Sequence, residues 1–220
     1  MSLALLLSDE LNGFYRSRLM SVLWFGLPLT SLLLYFVMPD SSLEGVSMTV
    51  FTAMIVSSIG ALLASVMLAV NLVSEVNEHV LDLFLVRPVQ RWHLLVSKFL
   101  AIYICVSIAC LIALGVGMAY DVFINGSSFA AASIGLTDSL ATTLMMMAVS
   151  CTAAVFISSF SPTVLIAVIL VMFGGNQLSV LALMPILISE FSMIMMVVVS
   201  SILSFTLFVL GSIIFKRREL

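Results

Sequence analysis

The sequence predicts an all-α integral membrane protein. It should have six transmembrane helices, both termini cytoplasmic, an amphipathic interfacial helix ahead of the first span, and a charged cytoplasmic helix between spans two and three. Three observations carry this expectation. The chain has 220 residues, of which 63% are hydrophobic and only 9% charged, with a mean hydropathy of +1.31. A soluble domain carries about 25% charged residues, so no water-soluble surface can be assembled from this composition. The charges are also gathered into short clusters, between which lie apolar runs long enough to cross a bilayer. Finally, every basic residue falls on one side of the resulting topology.

The elements follow in order. Leu3, Leu7, Leu11 and Phe14 form an apolar stripe at helical spacing, with Leu5 off the stripe and Glu10 at its edge. Such a helix can lie in the membrane interface. Asp9 and Glu10 precede the first long apolar run, and no small-residue cleavage site follows that run, so this start is not expected to be a cleaved signal. A span needs about 20 apolar residues. The first is expected at 19–38, ended by Pro39-Asp40, and the second at 46–70, inside the uncharged stretch 45–74. The third is expected at 99–120, between Lys98 and Asp121. The uncharged stretch 139–189 is too long for one span and suits two, at 139–157 and 162–184. The turn between them is SSFSP, with Pro162 at the first position of the new helix. The last span is expected at 191–215, stopping at KRREL. With no extramembrane domain, repeat or low-complexity linker, residues 1–220 read as one transmembrane domain.

Orientation comes from Arg16, Arg18, Arg87, Arg91, Lys98, Lys216, Arg217 and Arg218, which are all eight basic residues. With six spans they share one side, while Asp40, Glu44, Asp121, Asp138 and Glu190 occupy the other with no Lys or Arg. The positive-inside rule then places both termini and residues 71–98 in the cytoplasm, and the expected location is the cell membrane, multi-pass.

Several chemistries are excluded or disfavoured. The lysines, Lys98 and Lys216, follow no GxxxxG pattern, so the chain has no phosphate loop for ATP. There is no HExxH. Cys105, Cys110 and Cys151 sit in apolar runs without metal-ligand spacing and read as small hydrophobes. Both histidines, His79 and His93, fall in the cytoplasmic segment, away from any intramembrane nucleophile. No ionisable group lies well inside a span, which disfavours an ion-coupled pump. We therefore expect no catalytic residue, no metal site, no cofactor on this chain and no nucleic-acid partner. Work done by such a protein would draw its energy from another chain.

The stretch 75–98, EVNEHVLDLFLVRPVQRWHLLVSK, concentrates charge between two apolar runs. Read as a helix over 72–86, it places Leu72, Val76, Val80 and Leu83 on one face and Glu75, Glu78 and Asp82 on another. The helix should end before Pro88, which disfavours helical geometry in the residue ahead of it and can open the next helix. Trp92, Leu95, Val96, Phe99 and Leu100 lead into the third span. Two readings fit this helix, corner and helix: a rigid knuckle that docks a soluble partner, or a loop whose charges keep it out of lipid. The acidic face could also hold Mg²⁺ near the interface or be an ordinary solvated face.

The same stretch resembles the segment after the second span of ABC transporter permeases of the type-2 exporter class, which typically reads Glu-x-x-x-Gly-Thr-Leu-Glu-x-Leu-Leu-x-x-Pro-x-x-Arg with a Lys just before the third span. The matching residues are Glu75, Leu81, Asp82, Phe84, Leu85, Pro88, Arg91 and Lys98, with Asp82 and Phe84 similar rather than identical. His79-Val80 stands where the family often has Gly-Thr. In outline the resemblance extends to the whole chain.

The resemblance implies a mechanism. A separate ABC ATPase subunit, in two copies carrying ATP and Mg, would dock on residues 71–98 as a coupling helix. Glu75, Glu78 and Asp82 would form the docking face, Pro88 the corner, and Arg87 and Arg91 the contacts to the ATPase or lipid phosphate. A second permease subunit, identical or not, would complete the path through the lipid bilayer. The N-terminal helix also contacts the ATPase in proteins of this kind. The segment GGNQLSVLALMPILISE, opening at Gly174, Gly175, Asn176 and Gln177, would be a re-entrant hairpin on the outer side or part of a long kinked fifth span. The sequence does not disclose a cargo. Fifteen methionines suit a soft-metal path but also serve as flexible core filler, and the uncharged spans favour an apolar or amphipathic molecule. Two alternatives remain: a haem-export permease of cytochrome c maturation, and a six-span membrane enzyme or scaffold using Glu75, Glu78 and Asp82.

Overall fold

The computed structural model describes residues 3–37, 48–77, 91–123, 129–180 and 193–217, and among these all regular structure is helical. We number the helices α1 (Leu3–Tyr15), α2 (Arg18–Val37), α3 (Met48–Asn77), α4 (Arg91–Phe123), α5 (Phe129–Phe160), α6 (Val164–Val180) and α7 (Met193–Arg217). Four stretches are long and apolar enough to cross a membrane: Thr52–Asn77, Trp92–Tyr120, Gly135–Phe160 and Ile194–Phe215. They overlap the expected second, third, fourth and sixth spans. The expected first and fifth spans overlap shorter apolar stretches, Met20–Leu33 and Val164–Val180.

Helices α3, α4 and α5 are longer than the spans expected within them. α3 continues through Glu75 to Asn77, so the amphipathic turn expected from residue 72 is the end of the same helix. α4 begins seven residues before Lys98, and α5 starts at Phe129, nine residues before Asp138. A charge marks where lipid is unfavourable, but it does not break a helix, and FAAASIGLTDSL contains no proline. The break between α5 and α6 falls at residues 161–163, at the end of SSFSP and one residue beyond it, because Ser158, Ser159 and Phe160 still belong to α5. Its cap differs from the expectation, however: Thr163 is the N-cap, its hydroxyl accepting from the Ile166 N–H, and Pro162 lies outside the first helical residue, Val164. An extended Thr with a hydroxyl acceptor meets the need of the first helical N–H groups better than proline does.

α3, α4 and α5 form the centre. α5 packs against α3, α4, α6 and α7, while α1 and α2 rest mainly on α4. The core runs through Val56, Leu68, Leu72 and Val73 of α3, Leu95, Ile102 and Val106 of α4, and Met147, Cys151 and Val155 of α5. Where lipid tails supply no hydrophobic contrast, small residues and hydroxyls hold helices together. The Ser150 hydroxyl donates to the Ala61 carbonyl at 3.2 Å and the Tyr103 hydroxyl to the Leu144 carbonyl at 3.1 Å. On the α5–α7 seam the Ser159 hydroxyl is shared between the Val155 carbonyl of its own helix at 2.7 Å and the Gly211 carbonyl of α7 at 2.9 Å. A Cβ at Gly211 would stand 3.0 Å from the Phe156 Cα, and one at Gly60 would stand 2.7 Å from the Cys110 Sγ. Gly211 therefore lets two backbones meet, and Gly60 makes room for the Cys110 thiol.

Candidate functional site: an ion-pair clasp at the base of the charged segment

The cytoplasmic end expected from the charge pattern is where α1, α3 and α4 converge. α1 turns into α2 at Arg16-Ser17, and the Ser17 hydroxyl caps α2 by accepting from the Met20 N–H at 3.2 Å. Along α1, Leu6 is buried, and Leu11 and Phe14 pack on the core, whereas Leu5 is exposed. The inward face is thus rotated slightly from the expected stripe, toward Leu6 and Glu10. Glu10 is drawn inward because a cation waits there.

That cation is Lys98. Its ammonium lies 2.8 Å from a Glu10 carboxylate oxygen and 2.5 Å from one of Glu75, and its side chain is only 5% exposed. Each carboxylate keeps 26% exposure. Three helices thus contribute one charged group each: Glu10 from α1, Glu75 from α3 and Lys98 from α4. Lys98 reaches the site because Ser97 and Leu95 turn inward beside it, and α4 is fixed from the far side by aromatics. Trp92 meets Phe208 of α7 edge-on at a centroid distance of 5.2 Å, Phe99 lies 5.3 Å from the same ring, and Phe99 stacks on Tyr103. Below the clasp, Leu72, Val73 and Val76 of α3 and Leu94 and Leu95 of α4 are buried. Both roots of the 78–90 segment are therefore seated in the core.

α1 does not pack on α3. The two face each other across a cleft of about 780 Å³, lined by Asp9, Glu10, Gly13, Phe14 and Ser17 on one side and Leu63, Val66, Met67, Val70 and Asn71 on the other. Its mouth is acidic and its far wall apolar.

Of the sequence-predicted site residues, Glu75 is on α3 and engaged with Lys98. Arg91 is the first residue of α4. Glu78, Asp82, Arg87 and Pro88 lie outside the described residues. Gly174 and Gly175 belong to a π-helical turn, Val171–Gly175, a local widening often found at functional sites. Asn176 and Gln177 continue the helix, and the Asn176 carbonyl accepts from the Ser179 hydroxyl at 2.7 Å. Over 174–180 the chain therefore stays helical, with the widening confined to Val171–Gly175, while the rest of the expected hairpin, 181–190, falls outside the described residues. The sequence does not point to Glu10 as a site residue. Its only sequence signal is an acid on the margin of an apolar stripe, and nothing in the spacing connects it to Lys98.

No curated protein matches the chain. The family model described as ABC-2 family transporter protein matches residues 6–177, a range that begins inside α1, holds the whole clasp and ends just beyond the π turn. With most of its length so matched, the chain belongs to the ABC-2 family and is a membrane permease of an ABC transporter.

Proposed function

We propose that the chain is the membrane-spanning half of an exporter, driven by a separate ATPase subunit that docks on residues 71–98. Family membership over residues 6–177 carries the reading. Geometry supports it: the charged segment springs from two helix ends packed against each other, α3 and α4, so a load applied there reaches the bundle without being lost in slack chain. In this reading α2 and α6 complete six spans, with both termini cytoplasmic, in the cell membrane. Two ATPase copies would close around ATP and Mg beneath two permease subunits, and the outward apolar faces of α2 (Val22, Phe25, Leu29) and α7 (Ile194, Ile202, Phe205) are open to lipid and to that second subunit. Glu78 and Asp82 form the docking face, Pro88 the corner, and Arg87 and Arg91 the flanking cations. Gly174, Gly175, Asn176 and Gln177 border the path. Glu75, being paired with Lys98, serves the docking face from below.

The test is purification of the tagged chain from its native membrane. An ATPase with a phosphate loop should accompany it in equal amount, and its ATP hydrolysis should rise in the complex. Reversing both charges at Glu78 and Asp82 should release the ATPase. Recovery of the wild-type chain with no ATPase would overturn the reading.

A further inference from the structure

Lysines that serve only to keep a segment out of lipid gain nothing from burial. Arg16, on the same side of the bundle, is exposed. Lys98 has instead given up nearly all its water, a desolvation cost that is recovered only with close, well-placed counter-charges. It has two of them, from helices far apart in sequence. The packing explains what they hold. α1 rests on α4, and α3 rests on α4, but α1 and α3 are separated by the cleft between Glu10, Gly13 and Phe14 on one wall and Leu63, Met67 and Val70 on the other. Side-chain packing leaves the α1–α3 spacing open, and the ion pairs at Lys98 span it. Glu75 stands three residues ahead of residue 78 and Lys98 eight residues beyond residue 90, so both ends of the charged segment close on one ammonium.

We propose that Lys98 is a positioning residue: it clasps α1 to α3, so the N-terminal helix and the base of the charged segment move as one body and the cleft between them keeps a fixed width. Displacement of residues 78–90 then pulls on Glu75 and Lys98, and through them on Glu10. This rests on the proposed docking of an ATPase, but the clasp itself is testable without one. With two carboxylates to one ammonium, the ammonium can stand on either side of the cleft, which gives a rescue. Exchanging Glu10→Lys with Lys98→Glu keeps two acids around one cation.

The experiment places nitroxide labels at Ser8 and Asn77, both exposed, in the full chain reconstituted in lipid nanodiscs, and measures the label-to-label distance by pulsed electron spin resonance. The wild type should give one narrow distribution. Lys98→Met should broaden it and move it to longer distance, Glu10→Gln should broaden it less, and the exchanged pair should narrow it again. In the complex with the copurified ATPase, ATP with vanadate should leave the wild-type distance unchanged and shift it in Lys98→Met. A wild-type distribution retained in both Lys98→Met and Glu10→Gln overturns the clasp, as does a wild-type distance that shifts with ATP as far as the variant's. If Lys98→Met does not fold, Glu10→Gln and the exchanged pair decide. If no ATPase copurifies, the docking proposal fails and the nucleotide-free distances still judge the clasp.

Discussion

The clasp and the α5–α7 seam both hold helices together, by opposite means. At the clasp a single ammonium joins three helices through charge, next to a cleft where backbones stay apart. At the seam, Gly211 brings α7 against the backbone of Phe156, and neutral hydroxyls such as Ser159 add one directed bond. The contrast follows from spacing rather than depth, because Gly211 stands one helical turn from Phe208, whose ring meets Trp92 and Phe99 beside Lys98. At the clasp, water can solvate the outer edges of Glu10 and Glu75, and ion pairing acts over a gap. At the seam the backbones of α5 and α7 meet with no room for long charged side chains, and close packing of small residues replaces charge. Charge thus positions elements that must keep their distance, whereas shape fixes elements that must not part.

The comparison breaks most sharply at Lys98. In the double variant Glu10→Gln, Glu75→Gln, an ammonium 5% exposed loses both carboxylates. Breaking a buried pair by removing its partners costs about 3–5 kcal/mol. We expect the largest loss of thermal stability in detergent from this variant, with either single variant retaining one ion pair and losing much less. Equal melting temperatures for the double variant and the wild type would show that the ion pairs do not hold this end. At the seam the corresponding probe is Gly211→Val. A Cβ there already meets the Phe156 Cα at 3.0 Å, and two further methyl groups must part α5 from α7. Overpacking of this kind costs about 1–3 kcal/mol. Gly211→Ala should fall between Val and wild type, because even one carbon presses on backbone rather than on a side chain that can turn away.

How far the sequence disclosed these two regions depends on whether the interaction is local. The all-helical class, the break at SSFSP and the helix ahead of the first span were readable because composition, proline and a stripe at helical spacing act within a few residues. Helix ends do not follow the charges that bound the expected spans: α3 runs on through Glu75, joining the expected second span to the start of the helix expected over 72–86, and α5 starts before Asp138. The sequence marks Glu75 as a site residue, but for outward docking. Its engagement with Lys98 depends on how α3 and α4 pack, which no spacing within 75–98 encodes. Glu10 lies on another element altogether, and only assembly of the bundle brings it to the same ammonium. The π turn at Gly174-Gly175 was visible as a glycine pair, but its form was not, since two glycines permit a reversal and a widened helix alike.

The smallest expected effects separate a hydroxyl that bonds from one that does not. The single Ser159 hydroxyl proton is shared between the Val155 carbonyl of its own helix and the Gly211 carbonyl across the seam, and hydrogen bonds between helices in membranes are worth on average about 0.6 kcal/mol. Ser159→Ala should therefore lower stability by no more than that amount, less than either change at Gly211. Ser200, on the same helix as Gly211, is 1% exposed and its hydroxyl has no partner among the described residues. A buried hydroxyl without a partner carries a desolvation penalty and returns nothing for it, so Ser200→Ala should leave the melting temperature unchanged or raise it slightly. The two serines are chemically alike and both buried, so measuring them side by side removes transfer and size from the comparison and leaves the bond. If Ser200→Ala proves as costly as Ser159→Ala, the seam is held by the volume of its small residues alone, and the directed bond to Gly211 adds nothing to it.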